Sequence, residues 1–225
     1  MARFSRIDVA LAMKATGIVP VFYNKDIEVC KQVLLACYKG GVRVFEFTNR
    51  GDFAHEVFAE LNKYAEKECP EMIPGVGSVI DGATAALYLQ LGSNFIVSPI
   101  VDEEMARVCN KRKVAWSPGC GSVTEIVRAH ELGSEVVKIF PGSQVGGPAF
   151  VKAVRGPFPY ASIMPTGGVA PTRDNLQGWF EAGVHCVGMG SQLFPKEILD
   201  SGNYQSITDK CKEALEIVEE IRSKN

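Results

Sequence analysis

An amine inside an apolar run is the clearest chemical signal in this chain. Lys138 sits in Val136-Val137-Lys138-Ile139-Phe140-Pro141, which reads as a fully buried strand with no structural need for a charge. Desolvation disfavours the ammonium form and lowers its pKa, and a neutral amine can attack a carbonyl carbon and form a Schiff base at neutral pH. The competing reading is a lysine at a strand end whose stem packs while its head reaches water or a carboxylate. The rest of the chain decides between them.

Glu46 is the second candidate. It lies between two phenylalanines in Val44-Phe45-Glu46-Phe47-Thr48, and strand alternation puts Val44, Glu46 and Thr48 on one face. If that face points inward, burial raises the carboxyl pKa toward the range useful for proton transfer. The alternative is a capping or ion-pairing glutamate at a rim. Arg50 follows in the loop-like segment Thr48-Asn49-Arg50-Gly51. Its guanidinium could hold a substrate carboxylate by a bidentate pair, or neutralise Glu46 or Asp52. Phe140 shares a face with Lys138 and would help exclude water from the amine. Thr166-Gly167-Gly168 and Gly188-Met189-Gly190-Ser191 are two Gly-rich turns with hydroxyls, of the kind that binds phosphate through backbone N–H groups.

Other segments carry less chemistry. His55, His130 and His185 have no ligand spacing between them, so no metal site is expected. Cys120 reads better as a small packed residue than as a nucleophile. Gly75-Val76-Gly77-Ser78 lacks the third glycine and distal acid of a dinucleotide fingerprint.

Short β-branched runs alternate with helical patterns throughout, the signature of successive βα units on a parallel sheet. Strands are expected at residues 18–22, 42–47, 72–76, 95–97, 114–116, 136–140, 162–165 and 185–188. About eight strands in 225 residues define a single-domain α/β fold, a (β/α)8 TIM barrel spanning 1–225. An additional helix over 5–15 precedes the first strand, and a charged final helix covers 204–221. Pro20 is the weak point of the first strand, since proline donates nothing to a ladder. In such a barrel the ends of strands two and six, and the loops after strands seven and eight, all face the active site. That is where Glu46, Lys138 and the two Gly-rich turns fall.

The net charge of −2, from 24 basic and 26 acidic residues, provides no field for nucleic acid or an anionic membrane. Small molecules are the expected partners. Seven cysteines without a Cys-x-x-Cys pair argue against a disulfide framework and for a reducing cytoplasm. No stretch has the roughly 18 apolar residues of a membrane span, and the polar start of the chain does not read as a signal peptide.

Several of these segments together resemble a known family, the class I 2-keto-3-deoxy-6-phosphogluconate (KDPG) and 4-hydroxy-2-oxoglutarate (KHG) aldolases. The carriers are residues 40–50 (Gly-Gly-Val-Arg-Val-Phe-Glu-Phe-Thr-Asn-Arg), Pro74-Gly75-Val76-Gly77-Ser78-Val79, Phe95-Ile96-Val97-Ser98-Pro99, Val137 to Pro141 and Pro165 to Val169. The resemblance spans nearly the whole chain. It implies Lys138 as the Schiff-base residue, Glu46 as general acid/base and Arg50 as the ligand of the pyruvyl carboxylate, assisted by Ser78. It further implies Phe140 beside the imine, phosphate held by Thr166, Gly167, Gly168, Gly190 and Ser191, no cofactor and no metal, and a homotrimer of barrels. The expected reaction cleaves KDPG to pyruvate and glyceraldehyde 3-phosphate. KHG, the galactonate epimer or a non-aldolase phosphate-binding barrel are the alternatives. The chain departs from the family where Gly77-Ser78 replaces a Gly-Thr, where Ser122-Val123-Thr124-Glu125 replaces Thr-Pro-Thr-Glu, and where Tyr23 stands in place of an arginine some members carry.

Overall fold

The computed structural model describes residues 2–224. The chain opens with α1 (Arg6–Thr16), then alternates β1 (Ile18–Phe22), α2 (Ile27–Lys39), β2 (Val44–Thr48), α3 (Ala54–Glu68), β3 (Ile73–Gly77), α4 (Gly82–Gln90), β4 (Phe95–Val97) and α5 (Glu103–Arg112). It continues through β5 (Ala115–Ser117), β6 (Gly119–Cys120), α6 (Val123–Glu131), β7 (Val137–Ile139), α7 (Gly147–Arg155), β8 (Ile163–Pro165), α8 (Arg173–Glu181) and β9 (Val187–Met189), ending in α9 (Lys196–Ser201) and α10 (Tyr204–Arg222). The strands pair in parallel as β5-β4-β3-β2-β1-β9 and as β6-β7-β8. A bridge between Thr166 and Gly188 joins the edges of β8 and β9. The result is an α/β fold on a curled parallel sheet.

Each expected strand occurs within a residue or two of its place. The expected fifth strand runs further than its apolar residues suggested, in two pieces. Pro118 separates them because it has no N–H, and the stretch changes partners there. The Ser117 carbonyl accepts from Ser98 N, whereas the Pro118 carbonyl accepts from Lys138 N at 2.9 Å. The lysine strand is therefore β7, and the Gly-rich turns follow β8 and β9. Pro20 is accommodated similarly: β1 pairs with β9 through Ile18, Val19 and Pro20, and with β2 through Val21 and Phe22. The short α9, its six residues carrying no buried side chain, has no apolar period and was not expected.

Strand alternation divides the apolar residues into two cores. On the outer face Phe45, Phe47, Ile96, Trp116, Val137 and Ile163 pack against buried helix residues such as Val33, Leu34, Phe58 and Leu61. On the inner face Val19, Val44, Ile73, Phe95, Val136 and Met164 meet Val9 and Met13 of α1, which plugs the sheet's N-terminal end. A reciprocal capping box starts that helix, with Ser5 Oγ accepting from Asp8 N and the Asp8 carboxylate from Ser5 N. Among the described residues no helix is long and apolar enough to cross a membrane.

Met13 is 1% exposed inside the plug. Met13→Ala should cost about 2–5 kcal/mol in urea unfolding through the cavity it leaves, with the turnover of the folded fraction retained because the plug lies beneath the apolar layer and away from the strand ends.

Candidate active site

The two inner-face positions that follow the apolar layer hold the ionisable groups. Glu46 comes two residues after Val44, and Lys138 two after Val136. They are 1% and 5% exposed, and Lys138 Nζ lies 3.9 Å from Glu46 Oε1. Enclosure excludes the rim position of Glu46 and a water-reaching head on Lys138, while the competing reading's other partner for Lys138, a carboxylate, is present in Glu46. Lys138 Nζ also lies 4.9 Å from the centre of the Phe140 ring, as the shared strand face required.

Burial dominates both titrations. It lowers the Lys138 pKa, against the Glu46 charge, which raises it, and with a smaller lowering by Arg50. Burial raises the Glu46 pKa, opposed by Lys138 and then Arg50. The amine is thereby moved toward its nucleophilic neutral form and the carboxyl toward a proton-exchanging one. Glu46 Oε2, Thr48 Oγ1 and Thr166 Oγ1 are buried without a hydrogen-bond partner among the described residues, an uncommon state that an incoming polar ligand would relieve.

Arg50 Nε donates to Ser78 Oγ at 3.3 Å. Ser78 adopts φ 59°, a left-handed conformation that costs a non-glycine residue energy and turns its hydroxyl toward the arginine. Among the described residues no carboxylate lies within ion-pair distance of Arg50, so the guanidinium is not consumed by Asp52 or Glu46.

A cavity of about 290 Å³ opens beside Phe140, the ring that Lys138 Nζ approaches. Arg50, Phe140, Thr166, Gly167, Gly168, Gly190 and Ser191 line it, as do Val21, Val169, Gly188 and Gln192. Of the expected residues, Lys138, Glu46 and Ser78 stand outside that lining. Gly167 and Gly168 have φ 99° and 77°, left-handed values that glycine alone adopts freely. The N–H groups of Gly168, Val169, Ser191 and Gln192 donate to no protein acceptor among the described residues, so they remain available to an anion.

Gly188 belongs to a Gly-rich turn already named, and sequence reasoning missed three other lining residues. Val21 was legible by alternation from inward Val19, and Gln192 as the polar residue following Ser191; Val169 had no signal of its own. Tyr23, which stands where some family members carry an arginine, does not line the cavity; its ring packs 5.6 Å from that of Phe47 and its hydroxyl lies against Gly51, bracing the Arg50 loop. Cys120 is fully buried with its thiol pushed up to about 12 by burial, a packed residue. Ser122 and Glu125 form a capping pair at the start of α6. A larger hollow of about 570 Å³ beside α10 is remote from this chemistry, and its Arg222 is already engaged with the carbonyls of Lys14, Ala15 and His185.

An enclosed amine and carboxyl beside a cavity with an arginine and free backbone donors can form and cleave an imine-activated carbon skeleton. The comparisons agree. A family model described as KDPG and KHG aldolase matches residues 9–210, and the chain belongs to this family of aldolases, carbon–carbon lyases. It is 36% identical over 184 residues to the 2-dehydro-3-deoxy-phosphogluconate aldolase of Pseudomonas aeruginosa, covering 81% of this chain and 80% of that protein. It is 33% identical over 210 residues to the KHG/KDPG aldolase of Escherichia coli, covering 92% and 95%. The KDPG aldolase of Legionella pneumophila, solved with pyruvate captured as a covalent carbinolamine intermediate, superposes with a TM-score of 0.82 at 28% identity, over 91% of this chain and 97% of that one. The enzyme of Zymomonas mobilis, solved with 3-phosphoglycerate, gives a TM-score of 0.79 at 28% identity, over 93% and 96%.

The pair makes a pH-dependent contribution to stability. A glutamate whose folded pKa is raised favours the fold below its ordinary value of 4.5, and that contribution is lost as pH rises toward the folded value. Lys138→Met removes the compensating cation, so its unfolding free energy should fall, relative to the parent, as pH rises above 4.5. Lys138→Met combined with Glu46→Gln should abolish that slope and be at least as stable as the parent near neutrality, because neutral groups replace a buried ion pair. Urea titrations across pH check both.

Proposed function

We propose that the protein cleaves KDPG into pyruvate and glyceraldehyde 3-phosphate through a Schiff base on Lys138. The observation that carries this reading is the enclosed amine 3.9 Å from the Glu46 carboxyl. The covalent pyruvate adduct of the Legionella relative supports it. The neutral Lys138 amine adds to the C2 ketone, and loss of water from the carbinolamine gives the protonated imine, an electron sink a ketone cannot match at neutral pH. Glu46, directly or through a water, takes the C4 hydroxyl proton as the C3–C4 bond breaks. The aldehyde leaves, the bond pair remains as an enamine, and Glu46 returns the proton to C3. Hydrolysis of the resulting imine frees pyruvate and the amine.

In this reading Arg50, steered by Ser78, holds the substrate carboxylate, and Phe140 packs beside the imine. Thr166, Gly167, Gly168, Gly190 and Ser191 receive the phosphate on hydroxyls and backbone N–H groups. One observation favours a second substrate: among the described residues Arg50 is the one charged residue lining the cavity, so its distal end has no cation clamp among them. KHG would fit such an end, and the Escherichia coli relative carries both substrate names.

The reading also takes the chain as one domain over 1–225 with a closed eight-strand barrel. The change of partners at Pro118 and the Thr166 to Gly188 bridge support closure. A homotrimer is proposed as well. Phe53, Ile80, Ile100 and Val123, exposed beside the loops after β2, β3, β4 and β6, give like copies an apolar surface to share. A cytoplasmic location accords with seven buried free thiols.

Lys138→Met should abolish both cleavage and the mass increment left by pyruvate plus borohydride; trapping at the parental level would overturn the assignment. Glu46→Gln keeps the shape and removes the basicity, so turnover should fall about 10² to 10⁴-fold while some trapping at Lys138 survives. Gly168→Val should raise KM for the phosphorylated substrate and spare trapping, because a side chain there would strike Ser143 in a backbone conformation valine avoids. Equal kcat/KM for phosphorylated and unphosphorylated acids would move the preference to KHG.

A further inference from the structure

The inner face of β3 carries Ile73, Gly75 and Gly77 in alternation, so beyond Ile73 this strand presents no side chain to the interior. Neighbours lean into the gap from both sides. A Cβ on Gly75 would strike the ring of Phe95 from β4. A Cβ on Gly77 would fall 2.5 Å from Glu46 Cδ and 2.9 Å from its Cγ, with Oε1 closer still. Heavy atoms do not pack at such separations, so the absence of a side chain at Gly77 is a condition of where Glu46 stands. The usual reason for glycine does not apply. Gly77 has no left-handed φ and is an ordinary strand residue in register with Thr48 of β2.

Little else holds the carboxyl. Among the described residues Glu46 Oε2 has no hydrogen-bond partner, and Oε1 lies 3.9 Å from Lys138 Nζ, beyond hydrogen-bond range. We propose that Gly77 is a positioning residue for Glu46, its bare backbone forming the socket that keeps the carboxyl beside Lys138. Fixing a carboxylate with donors engages its lone pairs and weakens it as a base. A socket achieves the placement by shape and leaves both oxygens free for the substrate's proton. The inference rests on the reading of Glu46 as the acid/base.

The test is a double-mutant cycle on the full chain. Gly77→Ala should lower kcat for cleavage by about 10²-fold, the cost of misplacing a reacting group by roughly an ångström. KM should stay near the parental value and pyruvate should still be trapped at Lys138, a split that general loosening of the fold would not produce. The same substitution lowers the melting temperature beside Glu46, whereas in a Glu46→Ala background it should add no further loss, because the atoms it strikes are gone. If Gly77→Ala fails to fold alone but folds together with Glu46→Ala, the steric link stands. A parental kcat in Gly77→Ala would overturn the proposal, as would an equal drop in melting temperature in both backgrounds. If the parent protein traps no pyruvate, the reading of Lys138 falls, while the melting temperatures still decide the socket.

Discussion

Two ionisable groups held 3.9 Å apart and almost wholly enclosed set the conditions for everything around them. Removing either charge from solvent costs several kcal/mol, and neither side chain compensates the other fully at that separation. The cost is tolerable because the surrounding fold is rigid and large. A helix closes one end of the sheet, and an apolar layer lies directly beneath the pair. Without that enclosure the lysine would be an ordinary surface ammonium, protonated and inert toward a carbonyl.

The sheet arranges its chemistry in layers because strand residues alternate. The first inward residues are apolar and meet α1; the next are Glu46 and Lys138; beyond them come Arg50, Thr166 and the turns after β8 and β9. Charge therefore changes in kind along the cavity. Next to its lining stands one group of each sign, on its wall a guanidinium steered by Ser78, and at its far end backbone dipoles, hydroxyls and the Gln192 amide. The part next to the pair suits a reacting carbonyl, and the far end tolerates anions by dipole alone, a softer selection than a clamp of cations would make.

Much of this was legible in the sequence. Lys138, Glu46 and Phe140 declared themselves because polar or aromatic residues at period two in an apolar run must face the same way. The expected strands were marked by β-branched residues and turn signals. The extension of the fifth strand was not legible, since Gly119 and Cys120 have no strand preference and the extension exists only through pairing with β7. The packing of Tyr23 was not legible either, because its position in the chain says nothing of its rotamer, which turns toward Phe47. The gap on β3 was equally hidden: Gly75 and Gly77 look like turn residues until their neighbours' side chains are in place.

The backbone of Lys138 is bonded on one side to the Pro118 carbonyl at 2.9 Å and registered on the other with Met164 of β8. Its stem is enclosed. Ordering a lysine side chain removes up to about 2 kcal/mol of rotamer entropy, and here that ordering belongs to folding rather than to binding. On the proposed Schiff-base role of Lys138, a substrate that becomes covalently attached would meet an arm already immobilised, so the adduct would form and dissolve with little further loss of disorder. The reversible step of that chemistry would thus inherit its favourable entropy from the folding of the chain.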